Sequence, residues 1–436
     1  MIAFIKNVKI KNYKCFENLN NKKGITFSVP ENNKRGSGLN IFIGENNTGK
    51  TTLMSIFTKL KENSFIFDEE KYKNGDVRII LQDSYKRKKG LKGLKIIKNL
   101  SGSINIDQDS NLTKDFKISY NDIDIIKDNR IWTSNFSGGG NYNFNSYQSS
   151  YSFKRQDIDS SLASLLSTIE KSNDGKKEKL NEYMKKIIPD FLDWKIRGTS
   201  KQGNYISYKL PNNEILDIDF ALGSGILNVF RIVVSLVENK KIIFIDEPEA
   251  FLHPTAQLNL LQILLDKSVN TQIFISTHSP FMFKNVFSSE ARLFVCKRTQ
   301  QGNIEIKNAK EVGWGSFPWS PSWGEINYYA YNLPTIELHD ELYGFLHQKY
   351  IDSVTDEQEA KKRSYLDEFD DYLKTKTTQT RKWIPEQGWT TRAGENVTLQ
   401  TFIRNKIHHP ENKTMQNFVF SDEELRQSID EMIKIV

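Results

Sequence analysis

The run Gly44-Glu45-Asn46-Asn47-Thr48-Gly49-Lys50-Thr51 follows the mostly apolar stretch Leu39–Ile43 and precedes a helical pattern over Thr52–Leu60. A G-x-x-x-x-G-K-[ST] spacing between strand and helix points to an α/β sheet with a phosphate-binding loop at a strand end. Gly44 and Gly49 allow backbone conformations closed to residues with a Cβ, so successive N–H groups of Asn46, Asn47 and Thr48 can turn inward around an anion. Lys50 is then placed to reach β- and γ-phosphates and the Thr51 hydroxyl to ligate Mg²⁺. Thr52 continues a helix whose positive end faces the same anion. A plain glycine-rich turn would leave the Lys-Thr pair unexplained.

A second segment fixes the rest of the site. Lys241-Ile242-Ile243-Phe244-Ile245-Asp246-Glu247 is an apolar run ending in two carboxylates. Such a run suits a strand buried on both faces of a parallel sheet, with its acids at the carboxyl edge where ligands bind. Asp246 is expected to hold Mg²⁺ through water and Glu247 to polarise the attacking water, since phosphoryl transfer asks mainly for positioning and charge neutralisation. Another apolar strand, Gln272–Ser276, closes on Thr277-His278-Ser279-Pro280. ATP and Mg²⁺ are the implied ligands.

Ile245-Asp246-Glu247-Pro248-Glu249-Ala250-Phe251-Leu252-His253-Pro254, followed by Ser276-Thr277-His278-Ser279-Pro280, resembles the ABC-type ATPases of the overcoming-lysogenisation-defect (OLD) and RecF-like group. Val8–Phe16 is similar to the first strand and nucleotide-facing loop of that group. The resemblance covers about residues 1–60 and 215–300. It implies that His278 is a switch sensing the γ-phosphate and that Pro248–Pro254 packs across a head-to-head dimer or higher oligomer. The family signature, usually Leu-Ser-Gly-Gly, here reads Leu222-Gly223-Ser224-Gly225 before the apolar helix Ile226–Val237. Small residues and a hydroxyl at a helix start still suit an anion, and Ser224 and Gly225 are the candidates for it; a simple N-cap is the alternative role for Ser224. Gln82, ending the strand-like Val77–Leu81, is the candidate for the glutamine that couples nucleotide and metal to the rest of the head, a solvent-facing strand end being the alternative.

The expected architecture is an ABC-type P-loop head interrupted by a mixed insertion and followed by a mostly helical region. Its boundaries are 1–60 for the first half of the head, 61–214 for the insertion, 215–305 for the second half and 306–436 for the tail. Within the insertion, Lys86–Lys95 is rich in lysine, Phe116–Tyr120 alternates like a strand, Trp132–Phe153 reads as a mobile loop and Leu162–Ile188 as one helix ending near Pro189. No heptads are sustained there, which excludes the long coiled coil of a chromosome-maintenance protein. A mean hydropathy of −0.56 and the lack of any long apolar run fit a soluble chain without membrane span or signal peptide. Two cysteines, Cys15 and Cys296, supply neither a disulfide framework nor a zinc set and fit a reducing cytoplasm. The net charge of +7 permits nucleic-acid contact without arguing for it.

The tail opens on Trp314, Phe317, Trp319, Trp323, Tyr328, Tyr329 and Tyr331, which are expected mainly to pack a core, an interface being the alternative. Arg404 and His409 match the Arg-x₄₋₆-His pattern of HEPN ribonucleases, yet on a helix Arg404 shares a face with His408 instead. A helix end stopped by Pro410 explains the same residues. Glu337, His339, Glu341, His408 and His409 form a conceivable cation cluster. The Toprim carboxylates of self-contained OLD nucleases have no counterpart in 300–436. Gly324–Tyr328, Glu341–Gly344 and Ile403–Asn412 are similar to the ATPase subunits of Septu anti-phage systems, with those of PARIS systems the nearest competitor. That resemblance implies a separate nuclease partner, of HNH type in Septu, for a defence ATPase that scaffolds or regulates it. An ATP-gated RNA-cleaving toxin and a housekeeping DNA-repair ATPase are the competing expectations.

Overall fold

The computed structural model describes residues 3–13, 15–19, 24–31, 33–62, 76–83, 91–98, 104–108, 123–126, 160–199, 203–217, 224–299, 301–309, 314–384 and 395–436. The segments Phe116–Tyr120 and Trp132–Phe153, and Leu222-Gly223, lie outside them. The chain divides into two compact units, Met1–Asn308 and Ala309–Val436.

Among the described residues the first unit holds two six-stranded sheets and a smaller three-stranded one. One six-stranded sheet is antiparallel, with order β2-β1-β5-β6-β7 and β3 added against β1; its strands are β1 (Ala3–Tyr13), β2 (Phe16–Asn18), β3 (Ile25–Thr26), β5 (Asp76–Asp83), β6 (Leu91–Lys98) and β7 (Ile104–Gln108). The other has order β15-β14-β4-β13-β12-β8, from β4 (Leu39–Ile43), β8 (Ile123–Ile126), β12 (Ile242–Asp246), β13 (Gln272–Thr277), β14 (Arg292–Arg298) and β15 (Ile304–Asn308). All its pairings are parallel except β14 with β15. Strands β4 and β13 are buried along their whole length, which is why they read as continuous rather than alternating apolar runs. Helices α1 (Lys50–Glu62), α4 (Ser224–Val237), α5 (Pro254–Lys267) and α6 (Pro280–Val286) follow or precede these strands.

Aromatic rings fill the space where the two sheets share a core. Phe27 meets Phe42, Phe274 and Phe294 edge-on, with centroids 6.2, 5.1 and 5.9 Å away. Phe42 stacks on Phe294 at 4.8 Å and Phe244 on Phe274 at 4.7 Å. Two buried amides tie the sheets together. Gln272 accepts from Ile5 N at 2.8 Å and donates to Ile5 O at 2.7 Å and Ser28 O at 2.8 Å. Asn40 accepts from Ser28 N at 2.8 Å and donates back to Ser28 O at 3.0 Å. With their polar groups satisfied, these amides cost little to bury and fix the offset of one sheet on the other.

A helical and three-stranded part carries α2 (Ser160–Lys171), α3 (Lys176–Ile187) and the antiparallel strands β9 (Asp193–Thr199), β10 (Gly203–Lys209) and β11 (Ile215–Asp217). The single helix expected over Leu162–Ile188 is two helices. Asp174 explains the break: its carboxylate accepts from Ser172 Oγ at 2.7 Å and from Lys176 N at 3.2 Å, a local bonding pattern that competes with helix continuation.

The second unit contains α7 (Trp323–Tyr331), α8 (Ile336–Asp352), α9 (Glu357–Arg363), α10 (Leu366–Lys374), a short ribbon of β16 (Thr380–Lys382) and β17 (Asn396–Thr398), then α11 (Leu399–His408) and α12 (Asp422–Ile435). Ser322 with Glu325, and Ser421 with Glu424, form capping boxes at the starts of α7 and α12. Asp370 is buried and accepts from Thr398 N at 2.9 Å and Thr398 Oγ1 at 2.7 Å, so it braces α10 on the ribbon. The aromatic stretch packs only in part. Trp314 and Phe317 are buried, whereas Trp319 and Trp323 are 55% and 43% exposed.

His339 is fully enclosed in this unit, with Nε2 3.0 Å from Ser428 Oγ. Burial, partly opposed by the charge of Asp340, lowers its pKa to about 3. The unfolded chain therefore takes up a proton near pH 6.5 that the folded unit refuses, and stability is full above that pH and lost as pH falls toward 3. Between pH 7.5 and 5 this unit should lose about 2 kcal/mol through His339 alone. Urea unfolding at the two pH values is expected to show that loss in the wild type and much less of it in His339→Gln. Equal losses would assign the acid sensitivity elsewhere.

Candidate active site

The register of the parallel sheet brings the two sequence motifs to one edge. Asp246 at the end of β12 lies opposite Ser276 of β13, and Thr277 lies opposite Ile43, the last residue of β4. The strand ending in Thr277 thus stands between the phosphate-loop strand and the strand of the two acids.

The loop Gly44–Gly49 is shaped by backbone conformations that glycine tolerates. Gly44 has φ 154°, and a Cβ there would come 2.1 Å from Cys296 O; Gly49 has φ 83°. Asn47, at φ 61°, also turns left-handed, and Arg298 Nη2 donates to its carbonyl at 3.0 Å. Lys50 opens α1 and is 5% exposed. Its ammonium donates to Gly44 O and Glu45 O, both at 2.7 Å, and lies 3.4 Å from Thr48 Oγ1. Burial lowers the Lys50 pKa, while Asp246, Glu249 and Glu45 pull it back up. The neighbouring Cys296 adds little to that field at neutral pH, because complete burial pushes its thiol up to about 12 and keeps it uncharged.

Thr51 Oγ1 is 3.4 Å from Asp246 Oδ2, and the Ser276 hydroxyl donates to Asp246 Oδ1. One carboxylate thereby joins both motifs. Glu247 follows at φ 49°, its N–H donating to Ser276 O at 2.8 Å, and its Oε1 lies 3.5 Å from His278 Nε2. Among the described residues, every other non-glycine position with positive φ is an asparagine except Phe251, at 62°. Asparagine tolerates this region, whereas a Glu or Phe there costs about 1–2 kcal/mol. Both exceptions fall in the turn that begins at the second acid, where strain marks a conformation held by its surroundings. Phe251 is 71% exposed, and its carbonyl lies against Gly225, where a Cβ would approach it to 2.8 Å.

Of the residues singled out from sequence, Gly44, Asn46, Asn47, Thr48, Gly49, Lys50 and Thr51 form the loop and the start of α1, with Thr52 in the first turn. Asp246, Glu247 and His278 cluster beside Thr51 through the contacts given above. Ser224 and Gly225 begin α4. Gln82 lies in β5, opposite Phe4 and Leu91. Glu249 was not singled out, although Asp-Glu-Pro-Glu offered the signal. Its Oε1 accepts from Thr277 Oγ1 and from His278 N, each at 2.7 Å.

The tail residues behave differently. Arg404 is within α11 and donates to Asn405 Oδ1 at 3.2 Å; His409 is the cap, 3.4 Å from Glu411 Oε1. His408 reaches Asp340 at 2.6 Å. The imagined cation cluster of Glu337, His339, Glu341, His408 and His409 does not form: His339 turns to Ser428, and no metal-holding group of three such side chains exists among the described residues. In addition, no described helix is long and apolar enough to cross a membrane.

The residues at the sheet edge fit a nucleoside triphosphate with Mg²⁺. A buried ammonium faces a glycine-shaped loop, and a Thr hydroxyl shares a carboxylate at hydrogen-bonding reach. Strand order, loop and paired acids define an ABC-type P-loop ATPase. The chain belongs to the family described as "AAA domain, putative AbiEii toxin, Type IV TA system", whose model matches residues 39–283, more than half of its length. Among solved structures it is similar to the SMC head domain from Thermotoga maritima, at 13% identity and a TM-score of 0.41 over 71% of this chain and 99% of that one. It is also similar to an SMC head bound to the C-terminal winged-helix domain of ScpA, at 14% identity and a TM-score of 0.48 over 70% and 98%. A third is the SMC head domain with an extended coiled coil from Pyrococcus furiosus, at 10% identity and 0.43 over 70% and 96%. No curated protein sequence matches the chain.

Proposed function

We propose that the chain binds ATP with Mg²⁺ at composite sites between two copies of its head, hydrolyses it, and uses the helical tail to hold a separate nuclease in anti-phage defence. The observation that carries the nucleotide part is the meeting of Thr51, Asp246, Ser276, Glu247 and His278 at one strand edge. Lys50 exchanges its carbonyl partners for β- and γ-phosphate oxygens. Mg²⁺, when bound, neutralises the phosphate charge, and Thr51 and Asp246 hold it while the Ser276 hydroxyl fixes the second Asp246 oxygen. Glu247 orients the attacking water, and His278, beside it, meets the γ-phosphate. Ser224 and Gly225 face the phosphate of the opposite copy, whose approach Phe251 and the strained turn receive.

The defence reading is supported by resemblance in the tail and by its residues. Arg404 donates to Asn405 and His409 lies beside Glu411, and the scaffold reading asks no chemistry of either. The family description names a toxin, and this keeps an RNA-cleaving toxin as the second reading. Purified protein incubated with tRNA and with plasmid separates them. The scaffold reading expects inert protein that cleaves DNA once co-expressed with a nuclease encoded beside it. RNA cleavage by the chain alone, lost in the Arg404→Ala/His409→Ala double variant, would overturn it.

A further inference from the structure

The turn after the paired acids carries a third carboxylate. Glu249 lies two residues beyond Glu247, with Oε1 holding the Thr277 hydroxyl and the His278 N–H, while Oε2 is buried and has no hydrogen-bond partner among the described residues. Ala250 N donates back to Glu247 O at 3.1 Å and Leu252 N to Glu249 O at 3.0 Å, so Glu249 sits inside a tightly wound turn. One of its bonds reaches the backbone of the residue whose ring stands 3.5 Å from Glu247.

We propose that Glu249 is a positioning residue, a hydrogen-bond acceptor that latches the turn beginning at Glu247 to the end of β13 and so sets the spacing between Glu247 and His278. The inference rests on the hydrolytic reading above. Without the latch, Thr277 Oγ1 and His278 N lose a buried acceptor, and the left-handed Glu247 loses one of the bonds that hold its turn. Burial raises the Glu249 pKa, while bonds from Thr277 and from nearby backbone N–H groups oppose the rise. What both donors need is an acceptor oxygen, which an amide also supplies.

The test compares Glu249→Ala with Glu249→Gln in the full chain. Glu249→Ala is expected to lower kcat by about 10- to 100-fold, as small displacements of reacting groups do, with ATP affinity within about threefold of wild type. Glu249→Gln should recover most of the lost kcat. Three results overturn the proposal: Glu249→Ala turning over like wild type, Gln failing as completely as Ala, or binding and melting temperature collapsing together with kcat. Were the wild type itself unable to hydrolyse ATP, the hydrolytic reading would fall separately. The latch is then read from the His278 imidazole resonance, assigned by its loss in His278→Gln. A shift in Glu249→Ala reversed in Glu249→Gln supports the latch, and an unmoved resonance overturns it.

Discussion

Lys50→Ala is expected to abolish measurable ATP binding while leaving the head folded. The ammonium has two carbonyl partners, Gly44 O and Glu45 O, each at 2.7 Å, and sits in the hollow of the loop. Two charge-assisted bonds to phosphate, each worth about 1.5–3 kcal/mol, amount to about 3–5 kcal/mol after imperfect additivity. A loss of that size weakens Kd by about two to nearly four orders of magnitude. The fold is spared for a separate reason. Alanine is an excellent helix former, and of the two carbonyls released one belongs to the exposed residue Glu45. Calorimetric titration with ATP and Mg²⁺ checks the loss, and an unchanged melting temperature checks the fold. Wild-type affinity in this variant would mean that the loop does not hold phosphate.

Much of the head was legible because its information is local. Strand β4 coincides with the apolar run Leu39–Ile43, and β12 and β13 lie within one residue of the runs ending in Glu247 and Ser276. Continuous apolar stretches capped by acids or by Thr-His have few alternatives in a parallel sheet. What escaped depends on distant partners. Gln272 read as the start of a strand, yet it bonds to Ile5, 267 residues away, and locks two sheets together. Glu249 read as part of a motif, yet its partners lie on another strand. The left-handed turns at Glu247 and Phe251 contradict local preference and are held only by the assembled site. In the tail, the mostly helical character was expected. Which aromatic faced inward did not, since Phe317 and Trp319 are two residues apart, stack at 5.1 Å, and differ fully in exposure.

Glu247→Gln should bind ATP as tightly as wild type and turn it over about 10²–10⁴-fold more slowly. The exchange is nearly isosteric, so the backbone bond from residue 247 to Ser276 O and the strained φ of 49° persist. Lys50, Thr51 and Asp246 are untouched, and these are the groups assigned to phosphate and metal. What disappears is the carboxylate charge next to His278, and an amide cannot draw a proton from water as a carboxylate does. If two heads close on ATP and reopen after hydrolysis, blocked turnover should also accumulate the closed form, visible as an ATP-dependent dimer in size-exclusion chromatography. The pairing of readouts is decisive. Unchanged phosphate release would move the catalytic role to another group, His278 first. Slow release without any dimer would keep Glu247 as the base and argue that a single head is the working unit.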